Sequence, residues 1–82
     1  MALSRASLIT QQKLTKNMRM RWKRGACSDF HLAHSLQKLS WEYEFAADWC
    51  TESKALQGRY NALALVNAEQ ARSLCPSGLL FE

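Results

Sequence analysis

Eighty-two residues with a net charge of +4 allow one domain, and a chain this short buries only about 60–65% of its unfolded surface, a marginal core that a disulfide, metal or partner subunit often supplements. Apolar residues make up 48% against three glycines and one proline, which excludes disorder, and one valine, one isoleucine and three threonines exclude a sheet. The charge is uneven, with seven cations and no acid in residues 1–27 and five acids against two lysines in residues 28–58, and no apolar run approaches the ~20 residues of a membrane span.

The pattern predicts an all-α chain, a small helical domain built on an antiparallel αα-hairpin over residues 28–75. A basic N-terminal helix or arm (1–27) precedes it and an apolar tail (76–82) follows. The first helix is expected over residues 4–24, with Leu8, Leu14, Met18 and Trp22 as a narrow inward stripe. Gly25 ends it, because glycine takes the left-handed cap conformation without steric cost. Ser28-Asp29 is an N-cap signal for the second helix. Phe30, Ala33, Leu36 (or Gln37) and Leu39 then recur at three-residue steps. Ser40 either caps a third helix or lies inside one long helix over residues 29–57.

Tyr43, Ala46, Ala47 and Cys50 form the strongest apolar face of this segment, with Trp49 beside it and Trp41 and Phe45 on its flank. So wide an arc predicts contacts on two sides. Gly58 is read as the end of this helix, and a last helix runs from about Arg59 to Cys75 with Tyr60, Leu63, Val66 (or Asn67), Ala71 and Leu74 inward. Pro76-Ser77-Gly78 stops it. The tail Leu79-Leu80-Phe81 is expected to dock on this chain or another.

Residues with chemistry are sparse. Cys27, Cys50 and Cys75 are odd in number, widely spaced and without a CxxC pair, so they read as reduced thiols of a cytoplasmic protein with no metal and no cofactor. His31 and His34 share a helix face but lack a third ligand of obvious geometry. Glu42, Glu44, Asp48 and Glu52 read as a solvated face. Neither a glycine-rich phosphate loop nor a nucleophile elbow is present, and no enzyme is expected. Arg19, Arg21, Lys23 and Arg24 around Trp22 suit phosphate contacts and base stacking, so nucleic-acid binding through residues 13–24 is one reading. The other turns Met18 and Trp22 onto the hairpin and leaves the cations solvated, to pair with the acidic middle or steer an anionic partner. An acid-free first 25 residues also suits a mitochondrial presequence on a helical assembly factor.

The segment AHSLQKLSWEYEFAADWC (33–50) followed by ARSLC (71–75) resembles the ANR family of bacterial regulators, negative regulators of AraC-type virulence activators. PerC-like regulators share a similar layout. The matching positions are Ala33, Leu36, Tyr43, Ala46, Ala47, Trp49, Arg72 and Cys75. Leu39-Ser40-Trp41-Glu42 stands where the family has a Gly-Asp-type turn, and Ala68 lies in the neighbourhood of a family tryptophan. The resemblance implies a cytoplasmic anti-activator that binds an AraC-type transcription factor. Trp41, Tyr43, Phe45, Trp49 and Arg72 are the candidate partner-binding residues, and a homo-oligomer is a further expectation.

Overall fold

The computed structural model describes the backbone of residues 2–76 and the side chains of residues 6–76. Within that span the chain is three α-helices, α1 (Ala2–Lys23), α2 (Asp29–Trp49) and α3 (Lys54–Leu74), with no strand among the described residues. The apolar tail Leu79-Leu80-Phe81 lies outside the described residues.

Each boundary has a local cause. At the end of α1, Gly25 takes φ 76°. Its N–H donates to the Trp22 carbonyl at 3.0 Å, and the Ala26 N–H to that of Arg21 at 2.8 Å. This is a Schellman motif, which satisfies two carbonyls that the helix end leaves open. Ser28 caps α2, its hydroxyl accepting the His31 N–H at 3.3 Å and lying 2.7 Å from His31 Nδ1.

The second boundary falls elsewhere than the spacing of the glycines predicts. α2 ends at Trp49 and α3 starts at Lys54, so Gly58 sits inside α3 instead of closing a helix. Ser53 caps α3 by accepting the Leu56 N–H at 3.2 Å. The Gln57 amide reaches back to the Ala47 carbonyl at 2.9 Å and satisfies an acceptor near the end of α2. Two such terminations outweigh the roughly 1 kcal/mol that a glycine costs inside a helix. Ser40 caps nothing: it is buried in the middle of α2, and its hydroxyl donates to the Ala64 carbonyl of α3 at 2.7 Å.

α2 is the central element. Along its contact with α3, Ala47 meets Gln57, Tyr43 stacks on Tyr60 with ring centroids 6.1 Å apart, and Ser40 meets Ala64. Ala33, Ala47, Ala64 and Ala71 are all buried there. Small side chains let two helix backbones approach to the short end of the usual ~8–10 Å, which is why a serine hydroxyl on one can reach a carbonyl of the other. α1 lies on the other flank of the same α2 face. No Cα of α1 comes within 8 Å of one in α3 among the described residues.

The apolar core is in two parts. Leu8, Leu39, Tyr43 and Ala64 form one cluster, with Ala46 and Tyr60 packed on it. Leu32, Ala33, Leu36 and Ala71 form the other, with Met18, Trp22, Cys27, Leu74 and Cys75 around it. α1 therefore contributes to both clusters. Between them Thr15 and Ser35 are buried, their hydroxyls 2.9 Å apart, and the Gln11 amide donates to the Ser35 hydroxyl at 3.2 Å and its carbonyl at 3.3 Å. The inward stripe of α1 is thus Leu8, Gln11, Thr15, Met18 and Trp22, in alternating steps of three and four. Leu14, expected inward, is 53% exposed. Likewise Phe30 is outside and Leu32, two positions on, is buried, Leu63 is outside beside buried Ala64, and of Val66 and Asn67 it is Asn67 that is buried.

Two stability measurements test this account. Gly58 has open space at its missing Cβ and a helical backbone, so Gly58→Ala is expected to raise stability by about 0.5–1 kcal/mol. Gly25→Ala must strain a positive φ and is expected to lower it by about 1 kcal/mol, so the urea midpoints should move in opposite directions. In the polar layer, Thr15→Val should cost about 1 kcal/mol by leaving the Ser35 hydroxyl with the Gln11 amide alone, while Thr15→Val with Ser35→Ala should cost less than the sum of the singles in a double-mutant cycle.

Candidate docking face

A helix with 3.6 residues per turn has an outside for every inside, and α2 is informative on both. Its inward half holds Leu32, Ala33, Ser35, Leu36, Leu39, Ser40, Tyr43 and Ala47, all buried. The opposite half carries Phe30, His34, Lys38, Trp41, Phe45 and Trp49, in steps of three or four residues. Phe30 is 50%, Trp41 39%, Phe45 56% and Trp49 54% exposed. The Phe30 ring lies 6.2 Å from that of His34, extending the aromatic surface toward the start of the helix. Trp41, Glu44, Phe45 and Asp48 line an open depression near its other end.

The charges on this face are sorted. The Lys38 ammonium and the imidazoles of His31 and His34 occupy the first half, and the carboxylates of Glu42, Glu44 and Asp48 the second. Burial, then the neighbouring Lys38 and His31, hold the His34 imidazole below its ordinary range. Off this face, Asp29 stands in the first turn of α2, but the acids on the face, Glu42, Glu44 and Asp48, stand toward its end, where the last turn has no basic residue. That order runs against the helix dipole, which favours anions at the start of a helix and cations at its end.

The other candidates divide. Trp41, Phe45 and Trp49 share the outer face. Tyr43 does not: it is 8% exposed, packs in the core against Tyr60, and its hydroxyl accepts from the Gln12 amide at 3.0 Å. A tyrosine two residues from each of two exposed aromatics must point the other way on a helix, which its sequence neighbourhood alone disguises. Arg72 is exposed in the last turn of α3. Among the basic residues, Arg21, Lys23 and Arg24 are exposed, whereas Arg19 is half-buried and donates to the Gln70 side chain at 3.3 Å. Trp22 is also half-buried, and its indole N–H donates to the Asp29 carboxylate at 2.6 Å.

These contacts place the cationic end of α1 beside the start of α2. Glu42 lies thirteen residues further along α2 than Asp29, about 20 Å away at 1.5 Å per residue. Of the acids in residues 28–58, Asp29 alone of those on α2 therefore stands beside the cationic end of α1, and Glu42, Glu44 and Asp48 lie beyond its reach. The separation is more than twice the ~8 Å screening length at physiological salt, in a molecule that is elongated, 41 × 22 × 22 Å.

A second concavity, a groove of about 200 Å³ between α1 and α3, is lined by Trp22, Leu32, Leu36 and Leu74 together with Arg19 and Lys23. It is smaller than the ~300–1,000 Å³ usual for a small-molecule site. Among the described residues no group of three His, Cys, Asp or Glu is gathered to hold a metal ion, and no helix is long and apolar enough to cross a membrane.

Phe30, His34 and Lys38 are the members of the outer face that apolar spacing overlooks. Phe30 falls in step with Ala33 and reads as core, and the histidine and lysine interrupt the stripe with polar letters. The signal for them is the run of steps from residue 30 through 34, 38, 41, 45 and 49. No family model, no curated protein and no solved structure matches this chain.

The depressed His34 pKa makes stability fall with acid. The unfolded imidazole takes its proton near pH ~6.5 and the folded one only at lower pH, so stability is lost as pH drops below ~6.5. The melting temperature should decline between about pH 7 and about pH 5, and His34→Gln should reduce that decline.

Proposed function

We propose that this chain is a small helical modulator of transcription that works by binding another protein, with the outer face of α2 as its contact surface. The observation that carries the reading is the exposure of Trp41, Phe45 and Trp49 on the half of α2 that faces away from the core. Contiguous aromatic surface of this kind marks an interaction site, and tryptophan is the commonest anchor of such sites. The proposed architecture is an antiparallel α2–α3 hairpin carrying a basic helix. It is supported by the order of contacts, in which positions fall along α2 as they rise along α3.

The resemblance to the ANR regulators supplies the partner class, an AraC-type transcription factor held inactive in the cytoplasm. Binding, without a catalytic step, is the proposed activity. The exposed Arg21, Lys23 and Arg24, with Arg72 at the same end, steer an anionic partner surface. Direct nucleic-acid binding is the weaker reading, because Trp22 is committed to Asp29 and the core instead of to base stacking. Cleavage of a presequence after residue 25 would strip Leu8, Met18 and Trp22 from both clusters, so the assembly-factor reading is not proposed.

In a reporter driven by an AraC-type activator, Trp41→Ala and Trp49→Ala should each relieve repression, and co-purification with that activator should weaken by tenfold or more. Replacing Arg21, Lys23 and Arg24 together by Ala should mainly flatten the salt dependence of binding. Duplex DNA binding at low salt that vanishes in the triple variant, without any contact to the activator, would overturn the reading.

A further inference from the structure

The outer face of α2 is complementary to itself when two copies meet head to tail. We propose that its occupant is a second copy of this chain, packed antiparallel about a twofold axis that crosses α2 near Leu39 and Ser40. The proposal rests on the reading of this face as a docking surface and adds that a second copy covers it when the activator is absent, the two occupants being mutually exclusive.

Three observations support a second copy as the occupant when the activator is absent. First, the sorted charges match in only one direction. With the axis midway between Phe30 and Trp49, the ends of the face, an antiparallel mate brings Trp49 opposite Phe30, Asp48 opposite His31, Phe45 opposite His34 and Trp41 opposite Lys38. Aromatic then meets aromatic, a carboxylate meets an imidazole, and an ammonium lies over an indole. A parallel mate would set Asp48 on Asp48 and Lys38 on Lys38.

Second, the carboxylates on this face stand toward the end of their own helix, where the dipole disfavours them and the last turn has no basic residue. In the antiparallel pair they lie beside the start of the other copy's α2, where the dipole favours them. An arrangement unfavourable within one helix becomes favourable between two.

Third, the area is adequate for a reversible dimer. The face from Phe30 to Trp49 is about 30 Å long at 1.5 Å per residue. Four half-exposed aromatics contribute on the order of 100 Å² each. With the flanking polar groups, two copies would bury about 1,000 Å² in total, the lower end for a specific interface.

Sedimentation of the full chain from about 1 μM to about 500 μM should show a shift from the monomer mass to twice that mass. Trp41→Ala and Asp48→Lys should each weaken self-association by about tenfold or more with helical content unchanged, and adding His31→Asp to Asp48→Lys should recover most of the loss. In a sample mixing labelled and unlabelled chains, intermolecular NOEs should join the Phe45 ring to the His34 ring. A chain that stays monomeric at the highest concentration, or NOEs joining Phe45 to Phe45, would overturn the proposal. A monomer whose repression still depends on Trp41 removes the dimer but leaves the docking reading. A dimer that Trp41→Ala dissolves while repression is unchanged removes the regulator reading and leaves the dimer.

Discussion

The hydrogen bonds that join Thr15 and Gln11 of α1 to Ser35 of α2 constrain everything around them. Apolar packing alone would let α1 slide or rotate on α2, since leucine against leucine is nearly as good one position along. A buried hydroxyl has no such tolerance, because leaving it without a partner costs about 1–3 kcal/mol. Only one register pairs Thr15 with Ser35. That register also brings Leu8 to Leu39 and Tyr43, and Trp22 to Asp29 and Leu32. The polar layer thus acts as a single buried polar position does in a coiled coil, trading some stability for one defined alignment.

That alignment distributes the surfaces. With α1 on one flank and α3 on the other, the inner half of α2 is covered and its outer half is left to solvent. The same alignment sends the cations of α1 toward the start of α2 and leaves the acids near its end. The distance from the cations of α1 to Glu42, Glu44 and Asp48 and the exposure of an aromatic stripe are both consequences of how three helices are laid together, and neither belongs to one segment alone.

The helical class, the Gly25 stop and the Ser28 cap are legible in the sequence because each depends on neighbours within a few residues. The break between α2 and α3 is not. Ser53 and Gly58 are both credible punctuation, and what decides between them is a long-range bond from Gln57 to Ala47 together with packing along α3. The inward stripe of α1 is hidden for a different reason. Two of its five members, Gln11 and Thr15, are polar, and a search for apolar letters substitutes Leu14 for them. At the candidate site, Trp41, Phe45 and Trp49 are recognisable as aromatics of unusual density, but Tyr43 can be separated from them only once the phase of the helix is known.

The connections between helices are short, residues 24–28 between α1 and α2 and residues 50–53 between α2 and α3. Among the described residues, backbone contacts therefore join only neighbouring elements, and α1 reaches α3 through side chains alone, as in Arg19 with Gln70, which keeps contact order low and places folding in the microsecond-to-millisecond range typical of small helical domains. Ribosomes add roughly 5–20 residues per second, so synthesis of the 82 residues takes seconds. The time at which such a protein becomes able to act is set by its translation, with almost no delay added by its folding.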